Sequence, residues 1–236
     1  MSRALVLGGG GPVGIAWEAG LVVGLAGHGV ELEEADAVIG TSAGSNVGAQ
    51  LALGHDLHEA VQRRDEPGLR SGGGDSPGAT MEDRLAELTE TMALVAEWDG
   101  PPEEARAKLG QFALEQGVGP EERFIELFSA FADAGWPASF SCTAVDATTG
   151  AFVVWDQASG VDLQLAVASS CCVPGIFPPI TIGDARYIDG GMRSPLNADL
   201  ASGHDQVVVV SCMKGDLPGL GIADVEAERL TSLWQS

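Results

Sequence analysis

Positive charge is scarce in this sequence. Its 236 residues contain 12 Lys+Arg against 34 Asp+Glu, which gives a formal net charge of −22. Such a surface repels nucleic acid, so we expect no nucleic-acid partner, and it disfavours adsorption to anionic membranes through charge alone. The 45% hydrophobic content argues against a disordered chain. Length and composition together predict one soluble domain with a substantial core.

Cysteines are also few, and long apolar runs are absent. The four cysteines, Cys142, Cys171, Cys172 and Cys212, show no Cys-x-x-Cys spacing, so we predict no metal site and no disulfide. We interpret them as buried apolar residues in a reducing cytoplasm. A strand-like segment begins almost at the first residue, and no run approaches the roughly 20 apolar residues that span a bilayer. We therefore expect a cytoplasmic protein without a signal peptide, and we expect no cofactor.

A Gly-x-Ser-x-Gly motif, formed by Gly40, Ser42 and Gly44, follows the apolar residues 37–39. This pattern is typical of a nucleophile elbow, a sharp strand-to-helix turn that exposes one serine to substrate. Glycine is needed on both sides because a Cβ in so crowded a turn would clash. The helix expected after Ser42 would direct unpaired N–H groups at the site. An ordinary glycine-bracketed turn explains the motif equally well until a partner for Ser42 is found.

Strands and helices alternate at the start of the chain. Residues 3–7 are predicted as a buried strand, followed by a glycine-rich loop at residues 8–14 and an apolar helix whose first turn contains Pro12. A second strand, at about residues 35–39, leads into the elbow. This order predicts an α/β fold with a parallel sheet.

Residues 63–80 are rich in glycine and charge, which predicts a flexible loop. Helical periodicity then returns in residues 81–134. These helices either pack on the sheet or form a cap over the active site, with the loop as its hinge. We expect residues 1–236 to form a single domain.

Strand patterns dominate the second half. Residues 139–145 and 151–155 flank a turn and predict a hairpin. A short helix at residues 161–170 precedes a proline-rich segment that cannot be helical. Residues 207–210 are all valine, which is typical of a central parallel strand buried on both faces.

Ser42 needs a base within hydrogen-bond reach to become a nucleophile. Asp189 opens an Asp-Gly-Gly turn that could present its carboxylate, and His204 precedes the valine-rich strand. Ser42, Asp189 and His204 follow the chain order of an α/β-hydrolase triad. The alternative is a Ser42–Asp189 dyad in which the carboxylate itself is the base. The residues alone leave both arrangements open.

Three motifs in this order resemble those of the patatin-like phospholipases. They are the glycine-rich loop at residues 8–14, Gly-x-Ser-x-Gly at residues 40–44 and Asp-Gly-Gly at residues 189–191. Residues 168–179 are similar to the family's stretch before its catalytic aspartate, so the resemblance covers about residues 3–211. It implies a three-layer α/β/α fold with a mainly parallel central sheet and a nucleophile elbow after an early strand.

The resemblance also implies the chemistry of a serine acyl-ester hydrolase of the lipase or phospholipase type. Its substrate would be a lipid or acyl ester, met through transient contact with a membrane or micelle. In the family the elbow serine is the nucleophile and the aspartate is its only catalytic partner; here these are Ser42 and Asp189. The glycine-rich loop supplies the oxyanion hole, which maps to Gly9, Gly10 and Gly11. Successive glycine N–H groups at a helix N-terminus suit this role.

The sequence departs from the family at Val13, where many members carry a basic residue. Its absence removes a positive charge near the expected oxyanion site and puts phospholipid preference in doubt more than hydrolysis. Ile176 and Phe177 are candidates for lining an acyl groove, with flanking core as the equal alternative. The chain is short for the family and shows no clear final strand after Val210, which suggests a truncated sequence or missing segments.

A nucleotide-binding module is the rival hypothesis. Gly9, Gly11 and Gly14 fit Gly-x-Gly-x-x-Gly after a strand. A ribose-binding acid is expected about 20 residues further on, and three glutamates lie there: Glu31, Glu33 and Glu34. This hypothesis leaves the elbow and Asp-Gly-Gly unexplained. A third hypothesis, a non-catalytic scaffold that keeps the fold, is disfavoured by the intact motifs.

Overall fold

The structure is a computed structural model that describes residues 1–58, 80–116 and 118–213. The predicted loop at residues 63–80 lies outside the described residues except for Thr80, and so does the chain after Met213. The described strands are β1 (Arg3–Leu7), β2 (Ala37–Gly40), β3 (Phe140–Asp146), β4 (Phe152–Trp155), β5 (Ile180–Ile182), β6 (Ala185–Asp189) and β7 (Gln206–Val210). The described α-helices are α1 (Gly11–Ala26), α2 (Ala43–Ala52), α3 (Met81–Ala96), α4 (Pro102–Glu115), α5 (Glu121–Glu126) and α6 (Leu163–Cys171).

The N-terminal elements confirm the predicted order of strand, loop, helix, strand, elbow and helix. Helix α1 begins at Gly11, inside the glycine-rich segment at residues 8–14, and has Pro12 in its first turn, where the missing N–H has no intrahelical partner to lose. Glu18 is its single charged residue. Helix α2 begins at Ala43, immediately after Ser42.

The sheet is mixed, with a parallel centre. β7, β1, β2 and β3 are parallel neighbours in that order. β4 and β6 both pair antiparallel with β3, and β5 pairs antiparallel with β6. The predicted hairpin is therefore confirmed as β3–β4. The antiparallel strands β4, β5 and β6 lie on the β3 side of the sheet, and β6 ends at Asp189.

Both faces of the sheet are covered. On one face Leu5 and Val38 pack in the same cluster as residues of α1, α2 and α6. On the other face Val6 and Ile39 pack against the 3-10 helix Ala198–Ala201. Farther along that second face, α4 contributes two residues to a cluster with strands β3 and β6: Leu109 and Ala113. The expected three-layer α/β/α fold is confirmed.

The helices between residues 81 and 134 differ in burial. Helix α4 packs on the sheet, and Phe124 and Phe131 join the main core. Helix α3 keeps Met81 and Leu85 largely exposed. That these helices also cap the active site stays a prediction. No described helix combines the length and apolar character needed to cross a bilayer.

Two sequence-based expectations need correction. β7 is parallel to β1, but within the described residues it is the outermost strand on its side, and Val208 is 44% exposed. Its four consecutive valines, at residues 207–210, indicated a central strand because composition alone does not show which strands have two neighbours. All four cysteines are free, and the expected burial holds for Cys142 and Cys172, whereas Cys171 and Cys212 are only partly buried.

Candidate active site

The nucleophile elbow forms where β2 ends. Ser42 connects Gly40 to helix α2 with φ 54° and ψ −116°, a conformation that non-glycine residues rarely adopt. A Cβ at Gly40 would run into Ser45, and a Cβ at Gly44 would run into the carbonyl group of Leu7. Glycine is therefore required at both positions, at Gly40 because the turn folds back on its own backbone and at Gly44 because the turn packs directly on β1.

Strand β3 brings Asp189 to the elbow. Along one of its edges, Cys142 pairs with Gly40 of β2, and two residues further on Ala144 pairs with Asp189 of β6. β4 also pairs with Cys142 and Ala144, so β4 occupies one edge of β3. β2 and β6 therefore share the other edge of β3. The two strands therefore approach each other end to end, with about 7 Å of β3 between their last residues.

Asp189 is buried beside the Ser42 side chain, with 2% of its surface exposed. Its Oδ1 accepts a hydrogen bond from the Gly191 N–H (2.7 Å), whereas Oδ2 has no hydrogen-bond partner among the described residues. Burial raises the pKa of Asp189 to about 7, opposed by the Ser42 hydroxyl and the Gly191 amide. The hydroxyl thus lies close to the carboxylate, although no hydrogen bond of standard geometry joins them. Catalytic contacts of this kind often tighten only when substrate binds.

The end of helix α6 anchors the strained backbone of Ser42. The Ser42 N–H donates to Ser170 Oγ (3.0 Å). Its carbonyl oxygen accepts from Ser45 Oγ (2.6 Å) and from Cys171 Sγ (3.1 Å). These hydrogen bonds offset the unfavourable φ of the turn and fix the direction of the hydroxyl-bearing Cβ.

The glycine-rich loop lies alongside the elbow. The carbonyl oxygen of Gly8 accepts a hydrogen bond from the Gly44 N–H (2.9 Å). A Cβ at Gly9 would lie 3.7 Å from Ser42 Cβ. The loop and the nucleophile are therefore direct neighbours, as an oxyanion hole requires.

The three predicted oxyanion donors are not equivalent. The N–H of Gly9 donates to the carbonyl oxygen of Pro195 (2.8 Å), so this amide is already occupied, and an oxyanion role for Gly9 stays a prediction. The N–H groups of Gly10 and Gly11 have no acceptor within the described part of the chain. Both lie at the N-terminus of α1, where such donors lack intrahelical partners.

Two ionisable side chains, Glu18 and Cys212, lie next to the glycine-rich loop. Glu18 is fully buried, and neither of its carboxyl oxygens has a hydrogen-bond partner in the residues that the structure covers. Burial raises the pKa of Glu18 to about 8, opposed by the nearby Gly8 backbone. Cys212 Sγ donates to the carbonyl oxygen of Gly9 (2.9 Å), and burial, followed by the charge of Glu18, raises its pKa. A Cβ at Gly10 would run into this Sγ.

His204 lies at the wrong end of the sheet for a triad. It precedes β7, whose first residue, Gln206, pairs with Arg3 at the start of β1. The elbow lies beyond the other end of β1, about 13 Å along the strand. The His204 Nδ1 is instead 3.1 Å from the carbonyl oxygen of Ala201. The triad alternative is therefore wrong.

The nucleotide-binding hypothesis fails for a similar reason. The candidate acids Glu31, Glu33 and Glu34 lie at the 3-10 helix Leu32–Glu34, before β2. A ribose-binding acid has to follow the second strand, at the end of the sheet where the glycine-rich loop lies. Glu34 pairs instead with Arg3 (3.0 Å) at the opposite end.

The candidate groove residues take part in packing. Ile176 is 8% exposed, and the ring of Phe177 stacks on Phe124 with centroids 4.4 Å apart. Their role in an acyl groove stays a prediction. Val13 is 80% exposed on the first turn of α1.

Sequence reasoning missed Glu18, Ser170 and Asn197. Glu18 carried a signal, because it is the one charged residue in an otherwise apolar helix. Ser170 lies in residues 168–179, whose resemblance was noted, but nothing in the sequence marked it as a contact of Ser42, and Asn197 carried no signal, since only the folded chain brings the two residues to the elbow. Among the described residues, no group of three or more His, Cys, Asp or Glu could hold a metal ion.

Comparison with known proteins adds a family match. A family model described as patatin-like phospholipase matches residues 5–202. A search of curated proteins found no match. VipD from Legionella pneumophila is similar in structure over 98% of this chain and 53% of its own, with 15% sequence identity and a TM-score of 0.50.

Two structures of the type III effector ExoU are similar with lower scores. One covers 98% of this chain and 52% of ExoU, with 21% identity and a TM-score of 0.41. The other, ExoU in complex with SpcU from Pseudomonas aeruginosa, covers 100% of this chain and 53% of the neighbour, with 19% identity and a TM-score of 0.40. The chain spans about half the length of the structures that it matches.

Proposed function

We propose, from the premise that this chain belongs to the patatin-like phospholipase family, that it is a lipid acyl hydrolase with a Ser42–Asp189 catalytic dyad. One observation carries the proposal: the buried Asp189 carboxylate, of which one oxygen has no hydrogen-bond partner among the described residues, lies next to the hydroxyl of the strained elbow serine. Strain and unsatisfied buried polar atoms are unfavourable for folding, and they concentrate at functional sites. The proposed substrate class is carboxylic esters of fatty acids.

In the first half of the reaction, the Asp189 carboxylate takes the proton of Ser42 as its Oγ bonds to the ester carbonyl carbon. The negative charge that develops on the carbonyl oxygen accepts hydrogen bonds from the Gly10 and Gly11 N–H groups. One such donor is typically worth about 2.7–4 kcal/mol of transition-state stabilisation. Collapse of the tetrahedral intermediate breaks the ester bond, and the leaving alcohol takes the proton from Asp189.

In the second half, Asp189 takes a proton from a water molecule, which attacks the acyl group on Ser42. The same two N–H groups stabilise the second tetrahedral intermediate. Its collapse releases the fatty acid, and the proton returns from Asp189 to Ser42 Oγ. The N-terminus of α2, which begins one residue after Ser42, adds a positive potential that favours both oxyanions.

A fluorophosphonate probe tests for an activated serine. We expect covalent labelling of the native protein, mapped by peptide mass spectrometry to Ser42, and no labelling after heat denaturation. The same preparation should hydrolyse at least one class in a panel of lysophospholipids, phospholipids, acylglycerols and p-nitrophenyl acyl esters. Absence of both labelling and hydrolysis would favour the non-catalytic scaffold.

The pH dependence of hydrolysis should report Asp189. Because the base has to be ionised and its pKa is raised to about 7, kcat/KM for a p-nitrophenyl ester should fall about tenfold per pH unit below 7 and level off above it. Histidine also titrates in this range, so His204→Ala is the control and should keep the same profile. A profile that is flat between pH 5 and 8 would contradict the assignment of Asp189 as base.

A further inference from the structure

A buried polar cluster connects the nucleophile turn with the aspartate turn. Asn197 is completely buried, and its Nδ2 lies within hydrogen-bond distance of four acceptors. These are the carbonyl oxygen of Ser194 (2.8 Å), Thr41 Oγ1 (3.0 Å), Thr143 Oγ1 (3.3 Å) and the carbonyl oxygen of Gly190 (3.3 Å). The two threonine hydroxyls also lie 3.0 Å from each other. The amide has only two hydrogens, so this single group is shared among several acceptors.

The positions of these acceptors matter more than their number. Thr41 directly precedes Ser42, and Gly190 directly follows Asp189. Thr143 lies on β3 between the residues that pair with the ends of β2 and β6, and a Cβ at Gly190 would run into its Oγ1. One side-chain amide therefore contacts the neighbour of each candidate catalytic residue and the strand that separates them.

A hydrogen bond from Arg193 fixes the orientation of the Asn197 side-chain amide. Its Oδ1 accepts a hydrogen bond from Arg193 Nη1 (2.8 Å). Arg193 forms a two-pronged ion pair with Asp199 (2.6 and 2.9 Å), and its guanidinium lies 4.2 Å from the ring centroid of Phe152. Since arginine only donates hydrogen bonds, it selects the amide orientation in which Nδ2 faces the threonines. The backbone at Asn197 is left-handed (φ 48°), which asparagine tolerates better than most residues.

We propose that Asn197 is a positioning residue that sets the distance between Ser42 and Asp189 by linking Thr41, Thr143 and Gly190. The proposal rests on the hydrolytic function proposed above. Without the amide, the acceptors on the two turns would lose their shared donor, and each turn could relax separately. A displacement of about 1 Å between reacting groups can lower the rate about a hundredfold.

Two substitutions test the cluster without introducing a charge. Asn197→Gly removes the amide and permits the left-handed backbone, and Thr143→Val replaces the central hydroxyl with a methyl group of similar size. We expect each to lower kcat for p-nitrophenyl butyrate by about 10- to 100-fold, with KM changed by less than about threefold. Thr143→Ser restores the hydroxyl and should recover most of kcat.

A structural role alone predicts a different result. Ser169 is also completely buried. Its hydroxyl accepts a hydrogen bond from Trp155 Nε1 (3.1 Å) and donates one to the carbonyl oxygen of Ala166 (2.8 Å). Ser169→Ala is therefore the matched control. It should lower Tm and leave kcat unchanged. If Asn197→Gly and Thr143→Val also lower only Tm, the positioning role is wrong. If Asn197→Gly does not fold, the comparison of Thr143→Val with Thr143→Ser decides.

A second measurement separates this proposal from the proposed function. The difference in unfolding free energy between the native chain and Asp189→Asn, followed against pH, reports the pKa of Asp189 without any assay of hydrolysis. In the Thr143→Val background we expect that pKa to fall by about one unit, because a loosened turn admits water to the carboxylate. An unchanged pKa would refute the cluster's influence on Asp189 even in an active enzyme. A lowered pKa in a protein that hydrolyses no ester would refute only the proposed function.

Discussion

Replacing Ser42 with alanine, or Asp189 with asparagine, is expected to lower kcat/KM for p-nitrophenyl acyl esters by about 10³- to 10⁴-fold. Ser42→Ala removes the atom that bonds to the substrate. Asp189→Asn keeps the shape of the side chain but cannot accept the Ser42 proton. Because the two side chains would act as one unit, the double variant should be hardly less active than either single variant.

The control for this pair is Asp184→Asn, since Asp184 is exposed and lies in the turn between β5 and β6, on the hairpin that carries Asp189. It should retain wild-type kcat/KM. Retention of more than about a tenth of the activity in either dyad variant would contradict the proposed catalytic roles. Multiplicative losses in the double variant would show that the two side chains act independently.

The second large effect concerns stability. Glu18 has a pKa raised from 4.5 to about 8 in the folded protein because it is buried. In the unfolded chain it ionises at the lower value, so its stabilising contribution is complete below pH 4.5 and is lost progressively as the pH rises to 8. At pH 7 the loss is about 3 kcal/mol. We expect Glu18→Gln to remove this pH dependence. The unfolding free energy of the variant minus that of the native chain should therefore be about 3 kcal/mol larger at pH 7 than at pH 4.5.

Urea denaturation of both proteins between pH 4.5 and 9 measures the difference. Comparing the two pH values within each variant cancels the constant cost of burying an amide. Glu126→Gln, at an exposed position in helix α5, is the control and should leave the pH profile unchanged. Asp189 contributes a similar loss between pH 3.8 and about 7, but both proteins contain Asp189, so its contribution cancels in the difference between them. A constant difference between Glu18→Gln and the native chain would show that Glu18 is not a buried neutral acid.

Glu18 and Asp189 show that two buried carboxyl groups serve the same region in different ways. Asp189 faces the elbow serine, where an ionised oxygen can accept a proton. Glu18 lies under the glycine-rich loop and close to Cys212, where a neutral acid avoids placing a negative charge behind the N–H groups of the proposed oxyanion hole. A negative charge there would oppose the charge that develops on the substrate.

The sequence alone determined the local geometry of this protein. Gly40 and Gly44 revealed the elbow because a Cβ at either position would clash, at Gly40 with the backbone of the turn itself and at Gly44 with β1. Pro12 marked the start of α1, and alternation of strands and helices gave the layered fold, since turn sterics and hydrophobic periodicity are local properties. Those signals also led to Ser42 and Asp189 as one candidate pair.

Only the tertiary structure decided which distant groups meet. The register of β3 places the ends of β2 and β6 on one edge, and the register of β7 places His204 at the far end of the sheet. The occupied amide of Gly9 and the shared amide of Asn197 likewise depend on residues far away in the chain. Strand pairing and side-chain hydrogen bonds of this kind arise from packing in three dimensions, so no local pattern in the sequence records them.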